Sequence, residues 1–265
     1  GPALVRPVAI ERRVTDLVDR RLGRVPLDVL DGLDRRLPVL VASLTGRDRL
    51  AVGVDEFPAP ILRIEQHREL ADDLAVPYSL GEHASGRDIE REYTSLEHNE
   101  VLPVGERELK ALHSPGHTSE MLSLLIDGKA LLTADTLHVD STGRTELEFS
   151  EDEGEKGSRM LYETLHRTIL SEPEGVIVFP GHVTVTADGE FEHGTPGEPI
   201  QTTIRDARTG IDLLGLDEDM FVDHMADAGE KPSNYEEIIE FNRGVTEIPP
   251  EDRVELELGP NNCSA

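Results

Sequence analysis

Apolar residues gather in short runs through the middle of the chain, and their spacing switches between the two-residue period of strands and the 3.6-residue period of helices. Met121 to Ile126 is one run and Ala130 to Leu132 another, with Asp127-Gly128-Lys129 between them. That is the pattern of two short buried strands joined by an Asp-Gly turn. Val176 to Phe179 reads as a further buried strand. Between these, RMLYETLHRTIL (159–170) has amphipathic helical spacing, with Leu161, Leu165 and Ile169 facing inward. Upstream, 39–57 reads as a hairpin around Thr-Gly-Arg-Asp, 66–74 as a helix, AVPYSL (75–80) as a buried strand, and VLPVGERELKAL (101–112) as a second hairpin. Residues 1–38 fit one or two short helices broken near Gly23 and Pro26. From residue 200 come three helical patterns, the last ending at Gly244.

Charge narrows the partners. The 265 residues carry 26 Lys and Arg against 54 Asp and Glu, a formal net charge of −28. The acidic excess is spread along the whole chain, which argues by repulsion against nucleic acid or anionic membranes as partners. It suits a protein kept soluble in high salt, where charge repulsion is screened over a few ångströms. A halophilic origin is the expectation, with an acidic protein from a low-salt host as the alternative. A single cysteine, Cys263, leaves no disulfide framework. No run of 18 apolar residues occurs and no leader pattern opens the sequence, so a soluble, cytoplasmic protein is expected.

The candidate chemistry lies where the strands end. Pro115-Gly116-His117 precedes the run at 121–126, and Asp135 follows the run at 130–132. A second Pro-Gly-His, Pro180-Gly181-His182, follows the strand at 176–179. Pro fixes φ and Gly tolerates positive φ, so each triplet presents its imidazole from a sharp bend. Two such turns and one carboxylate make an N/O ligand set for zinc or iron, although any one of them alone would more often be a capped turn. His83, His98 and His113 read as surface or structural residues, and His166 as lying on the flank of its helix.

The segments LHSPGHTSEM, LLTADTLHVDSTGRTEL, LYETLHRTIL and VIVFPGHVTV resemble the second half of metallo-β-lactamase-fold proteins, in the branch of glyoxalase II-like hydrolases and persulfide (sulfur) dioxygenases. The resemblance covers about residues 83–185. It implies an α/β fold, an αββα sandwich, with metal-ligand roles for His117, Asp135 and His182 and a catalytic role for Asp135. Gly143-Arg144-Thr145 is typical of the branch, and Arg144 is a candidate for substrate or anion contact, a salt-bridged Arg being the competing reading. The implied organisation is an N-terminal helical segment (1–38), the metallo-β-lactamase-like domain (39–199) and a C-terminal helical extension (200–265).

One departure is large. The family delivers further ligands in a His-x-His-x-Asp-His motif, and this sequence has none; Pro58, Pro60, Leu62 and Arg63 precede His67, where the motif should end. The N-terminal half is thus shortened or rearranged. His67 is the nearest substitute ligand, though a surface position at a helix start is the simpler reading. One zinc or iron ion is then favoured over two. The resemblance implies a thioester hydrolase of glyoxalase II type or a persulfide dioxygenase-like enzyme, acting on a small thiol-derived substrate; the alternative is an inactive remnant. A homo-oligomer stays open.

Overall fold

The computed structural model describes residues 40–41, 78–86, 89, 92–104, 107–147, 154–181, 199–226, 235–243 and 245–249. The expectations for 1–38, for most of the 39–57 hairpin, for the 66–74 helix and for His67 and His182 fall outside them.

Two sheets carry the fold. The smaller is parallel: β1 (Leu40–Val41) pairs with β2 (Tyr78–Gly81), which pairs with β3 (Thr94–Leu96). The larger has six strands in sequence order: β4 (Val101–Val104), β5 (Arg107–His113), β6 (Leu122–Ile126), β7 (Ala130–Ala134), β8 (Ile177–Pro180) and β9 (Thr202–Thr203). Between β6 and β7 the expected turn is present, with Asp127 at φ 49° and Gly128 at φ 65°. Positive φ at both central residues is the geometry whose twist matches a hairpin, and Asp-Gly adopts it at little cost.

Strand alternation makes the large sheet two-faced. Leu112, Leu125, Leu131 and Val178 point to one side, where they join Leu161, Leu165 and Ile169. Ala111, Leu122, Leu124, Ala130, Leu132 and Phe179 point to the other, where they meet Leu96 of the small sheet. A sheet buried on both faces needs a layer on each side. Helices supply one layer and the second sheet the other, as the αββα reading requires.

The helical layer starts with α1 (Gly154–Thr164), which runs on into a single π turn, Leu165–Ile169, closed by the Leu170 N–H donating to the Leu165 carbonyl at 2.8 Å. The three residues expected inward are fully buried. Beyond β9 come α2 (Ile204–Gly210), a 3₁₀ turn (Asp212–Gly215), α3 (Glu218–Met225) and α4 (Tyr235–Arg243). Thr203 and Asp217 cap α2 and α3 by accepting from the Asp206 and Met220 N–H groups. Ile204, Leu213, Leu214, Phe221 and Met225 belong to the same core cluster as Leu131. The first part of the C-terminal extension is therefore core, and β9 is a strand of the sheet. No helix among the described residues is long and apolar enough to cross a membrane.

Candidate metal centre

Strand direction collects the chemistry. β5 is antiparallel to β6, β6 to β7, and β7 is parallel to β8. β5, β7 and β8 therefore run the same way, and the residues that follow them leave from one edge of the sheet. His117 follows β5, Asp135 follows β7, and Gly181 ends the described stretch that contains β8, next to His182 in sequence.

Each exit is shaped by close backbone contact. The first bend is closed by the Gly116 N–H donating to the Thr118 carbonyl at 3.0 Å. Gly116 has φ 145°, and a Cβ there would stand 2.4 Å from Leu161 Cβ, so the turn lies flat on α1. The Thr164 hydroxyl, at the onset of the π turn, donates to the Pro115 carbonyl at 2.7 Å and fastens the bend to the helix. At the second exit Ala134 adopts φ 45°, beside a register shift between Leu132 and Ala134. The left-handed step turns the chain so that Asp135 leaves the sheet. At the third, the Gly181 N–H donates to the Ala134 carbonyl at 2.7 Å. The first two loops are tied together through Ser114, whose hydroxyl receives the Ser123 hydroxyl at 2.9 Å and lies 3.2 Å from that of Thr136.

His117 and Asp135 meet in this buried setting, Nε2 to Oδ2, at 3.6 Å. The other ring nitrogen, Nδ1, lies 2.7 Å from the Arg144 main-chain carbonyl. A carbonyl only accepts, so Nδ1 carries the proton and, in the neutral ring, Nε2 turns a lone pair to a carboxylate oxygen. Two acceptors facing each other in a buried place call for positive charge between them, a second ring proton or a metal ion. The distance suits the ion. It is long for an N–H···O bond, whereas two ligands of one tetrahedral zinc, each ~2.0–2.2 Å from it, lie about 3.4 Å apart.

The loop from Asp135 to Thr145 folds back on itself, with the His138 N–H donating to the Ser141 carbonyl at 2.9 Å and a bridge between Leu137 and Thr142. This returns Gly143 to the site, where an added Cβ would stand 1.9 Å from the Asp135 carbonyl oxygen and 3.2 Å from His117 Nδ1. Glycine at 143 thus lets Arg144 bring its carbonyl under His117. The Arg144 side chain is buried, and its guanidinium is paired with Glu146, with Nε 2.6 Å from Oε1.

The matches with known proteins agree with this architecture. No family model matches the chain. Over 103 residues it is 32% identical to hydroxyacylglutathione hydrolase of Dictyostelium discoideum, covering 36% of this chain and 35% of that protein. Over 110 residues it is 26% identical to the probable hydroxyacylglutathione hydrolase glo2 of Schizosaccharomyces pombe, covering 40% of each. The match thus spans well under half the length of these curated relatives. In three dimensions the chain is similar to a metallo-beta-lactamase from Staphylococcus aureus, with TM-score 0.61 and 18% identity over 86% of this chain and 65% of that one. It is also similar to ETHE1 from Myxococcus xanthus, with TM-score 0.57 and 18% identity over 87% of this chain and 85% of that one.

The chain has the metallo-β-lactamase fold. Within this metallo-β-lactamase fold the structure brings together His117, Asp135 and the Arg144 carbonyl. Among the described residues no three His, Cys, Asp or Glu side chains form an ion site, and the stretch where the His-x-His-x-Asp-His motif would fall lies outside them.

Sequence reasoning missed His138. It is fully buried, with Nε2 3.5 Å from Asp135 Oδ1 and Nδ1 3.3 Å from the Ser141 hydroxyl. Its spacing three residues after Asp135 was visible, but in a loop that spacing implies no shared face. His113 is tied through Nε2 to the Ser119 carbonyl at 2.7 Å and stacked on His83 with ring centroids 3.8 Å apart. Burial, with the neighbouring His83 and His98 adding to it, lowers the His113 pKa despite the Ser119 carbonyl.

Proposed function

We propose that this chain is a metal-dependent hydrolase of thioesters of a small thiol, working in the manner of the hydroxyacylglutathione hydrolases it resembles. The observation that carries the reading is the buried apposition of the His117 Nε2 lone pair and the Asp135 carboxylate at 3.6 Å. His117 and Asp135 are the ligands on this reading, with His182 as a further one from the third strand exit. One zinc or iron ion is the expected complement. When bound, such an ion polarises a carbonyl and lowers the pKa of water to near neutrality.

The protein's own residues set the scene for that chemistry. The Arg144 carbonyl holds the His117 ring in one tautomer and one orientation, the usual device for making an imidazole a better ligand. The Thr164, Ser114 and Thr136 hydroxyls hold the two loops against the helix and against each other, so little reorganisation is left for binding. Arg144 serves the centre through its carbonyl; its guanidinium meets a substrate anion only if the pair with Glu146 opens.

A second reading is a persulfide dioxygenase-like activity, supported by Gly143-Arg144-Thr145 and by a ligand set of histidines with one carboxylate, which suits iron(II). The test begins with elemental analysis of protein purified in high salt without chelator, for wild type and His117→Ala. Stoichiometric metal lost in the variant supports a metal centre. Thioester hydrolysis against oxygen consumption with a low-molecular-weight persulfide then separates the two activities. Metal-free wild type would leave the inactive remnant as the account of this chain.

A further inference from the structure

We propose that His138 is a positioning residue for Asp135, bracing one carboxylate oxygen so that the other is presented to the metal beside His117; this rests on the metal-centre reading above. The two imidazoles flank one carboxylate, His117 Nε2 at 3.6 Å from Oδ2 and His138 Nε2 at 3.5 Å from Oδ1. Both rings and the carboxylate are buried. Their anchors differ, and the difference assigns the roles.

His117 rests its Nδ1 on a main-chain carbonyl, which can only accept, so its Nε2 is a ligand nitrogen. His138 rests its Nδ1 on the Ser141 hydroxyl at 3.3 Å, and a hydroxyl can donate as well as accept. When the Ser141 hydroxyl turns its one proton to Nδ1 and not to Asp140 Oδ1, 3.2 Å away, the His138 ring keeps its own proton on Nε2, the atom facing Asp135. That places an N–H dipole on Oδ1 and leaves Oδ2 for the cation, a division in which each oxygen has a positive neighbour.

At 3.5 Å the contact is longer than an ordinary hydrogen bond of ~2.7–3.2 Å, so it acts by orienting the carboxylate more than by gripping it. The ring itself is held in place. The His138 N–H donates to the Ser141 carbonyl at 2.9 Å, and the Ser141 hydroxyl also lies 3.2 Å from Asp140 Oδ1. Carboxylates that bind metal are commonly oriented by such outer partners, whose loss weakens metal binding by ~10–100-fold.

The test uses the full chain and measures zinc affinity by chelator competition for wild type, His138→Phe, His138→Gln and His117→Ala. Urea unfolding of the metal-free forms is measured in parallel. His138→Phe should fill the space without a donor and lower affinity about 10–100-fold. His138→Gln, with an amide N–H able to reach Oδ1, should recover most of it at equal or lower metal-free stability. In the cadmium-loaded, 15N-histidine-labelled protein, coupling to the metal should appear for His117 and not for His138.

Wild-type affinity in His138→Phe, or Gln no better than Phe, overturns the inference alone, since His117 dependence would persist. Metal coupling to His138 overturns it in favour of direct ligation. A wild type without zinc, or a His117→Ala with unchanged affinity, defeats the metal-centre reading and this inference with it.

Discussion

Gly143 lies against the main chain of Asp135 so closely that a β-carbon at 143 would stand 1.9 Å from the Asp135 carbonyl oxygen. The partner is backbone, which no rotamer change can move. Gly143→Ala should therefore push apart the two segments that bring the Arg144 carbonyl to His117. The expected outcome is destabilisation at the upper end of ~1–3 kcal/mol for overpacking, or more, together with loss of metal uptake. Urea unfolding and elemental analysis check it; a variant with wild-type midpoint and metal content would show the loop to be far softer than this packing implies.

Ala134 sits at φ 45°, a region that costs a residue with a β-carbon roughly 1–2 kcal/mol. Replacing it by glycine removes that strain but adds freedom to the unfolded chain, worth roughly 0.4–1 kcal/mol in the other direction. The balance favours Ala134→Gly, which should raise stability by about 0.5–1 kcal/mol. A lower urea midpoint would mean that the Ala134 methyl contributes packing that outweighs its backbone strain.

Burial lowers the pKa of both His166 and His113 below the ordinary 6.5, and His166 additionally packs on the Tyr162 ring with centroids 4.2 Å apart. A depressed folded-state value means that the unfolded chain binds the proton more readily. Folding stability from these groups is thus intact above about pH 6.5, falls as pH drops below it, and levels off beneath the folded-state values. Urea midpoints of the metal-free protein at about pH 7.5, 6 and 5 should decline more steeply for wild type than for His166→Phe. Parallel curves would assign the acid sensitivity elsewhere.

A net charge of −28 on 265 residues makes the folded chain repel itself. Salt shortens the reach of that repulsion from ~10 Å at 0.1 M to ~3 Å at 1 M. The urea midpoint should rise from 0.1 M to 2 M potassium chloride, a result that would support the expectation of a halophilic origin. A flat response would point to charges already neutralised by local pairs, such as Arg159 with Glu155 and Glu218.

The hairpin from Met121 to Ala134, the helix carrying Leu161, Leu165 and Ile169, and the strand leading to Gly181 were legible because each is written in local periodicity and turn chemistry. The Asp127-Gly128 turn is a property of two residues and needs no distant partner. His117 and Asp135 were legible as candidates for the same reason, since a Pro-Gly turn and a strand end announce loop positions. Helix ends were less so: the pattern at 159–170 missed the start of α1 at Gly154 and did not reveal the π turn, in which Leu165 and Ile169 are both buried in the core.

What only the tertiary structure decided is which groups share a space. The parallel direction of β5, β7 and β8 puts the His117 and Asp135 loops on one edge, and that follows from the pairing of strands far apart in sequence. The Arg144 carbonyl under His117, the closeness of Gly143 to Asp135 and the approach of His138 to Oδ1 arise from a loop folding back on itself. Main-chain carbonyls are the same at every position, so a sequence cannot single one out as a partner. By itself the sequence determined the central strands β6, β7 and β8, the turn between the first two and the residue types able to hold a metal, while β3 and β9 emerged only from strand pairing; the fold determined their distances, because distance is set by long-range packing and periodicity is not.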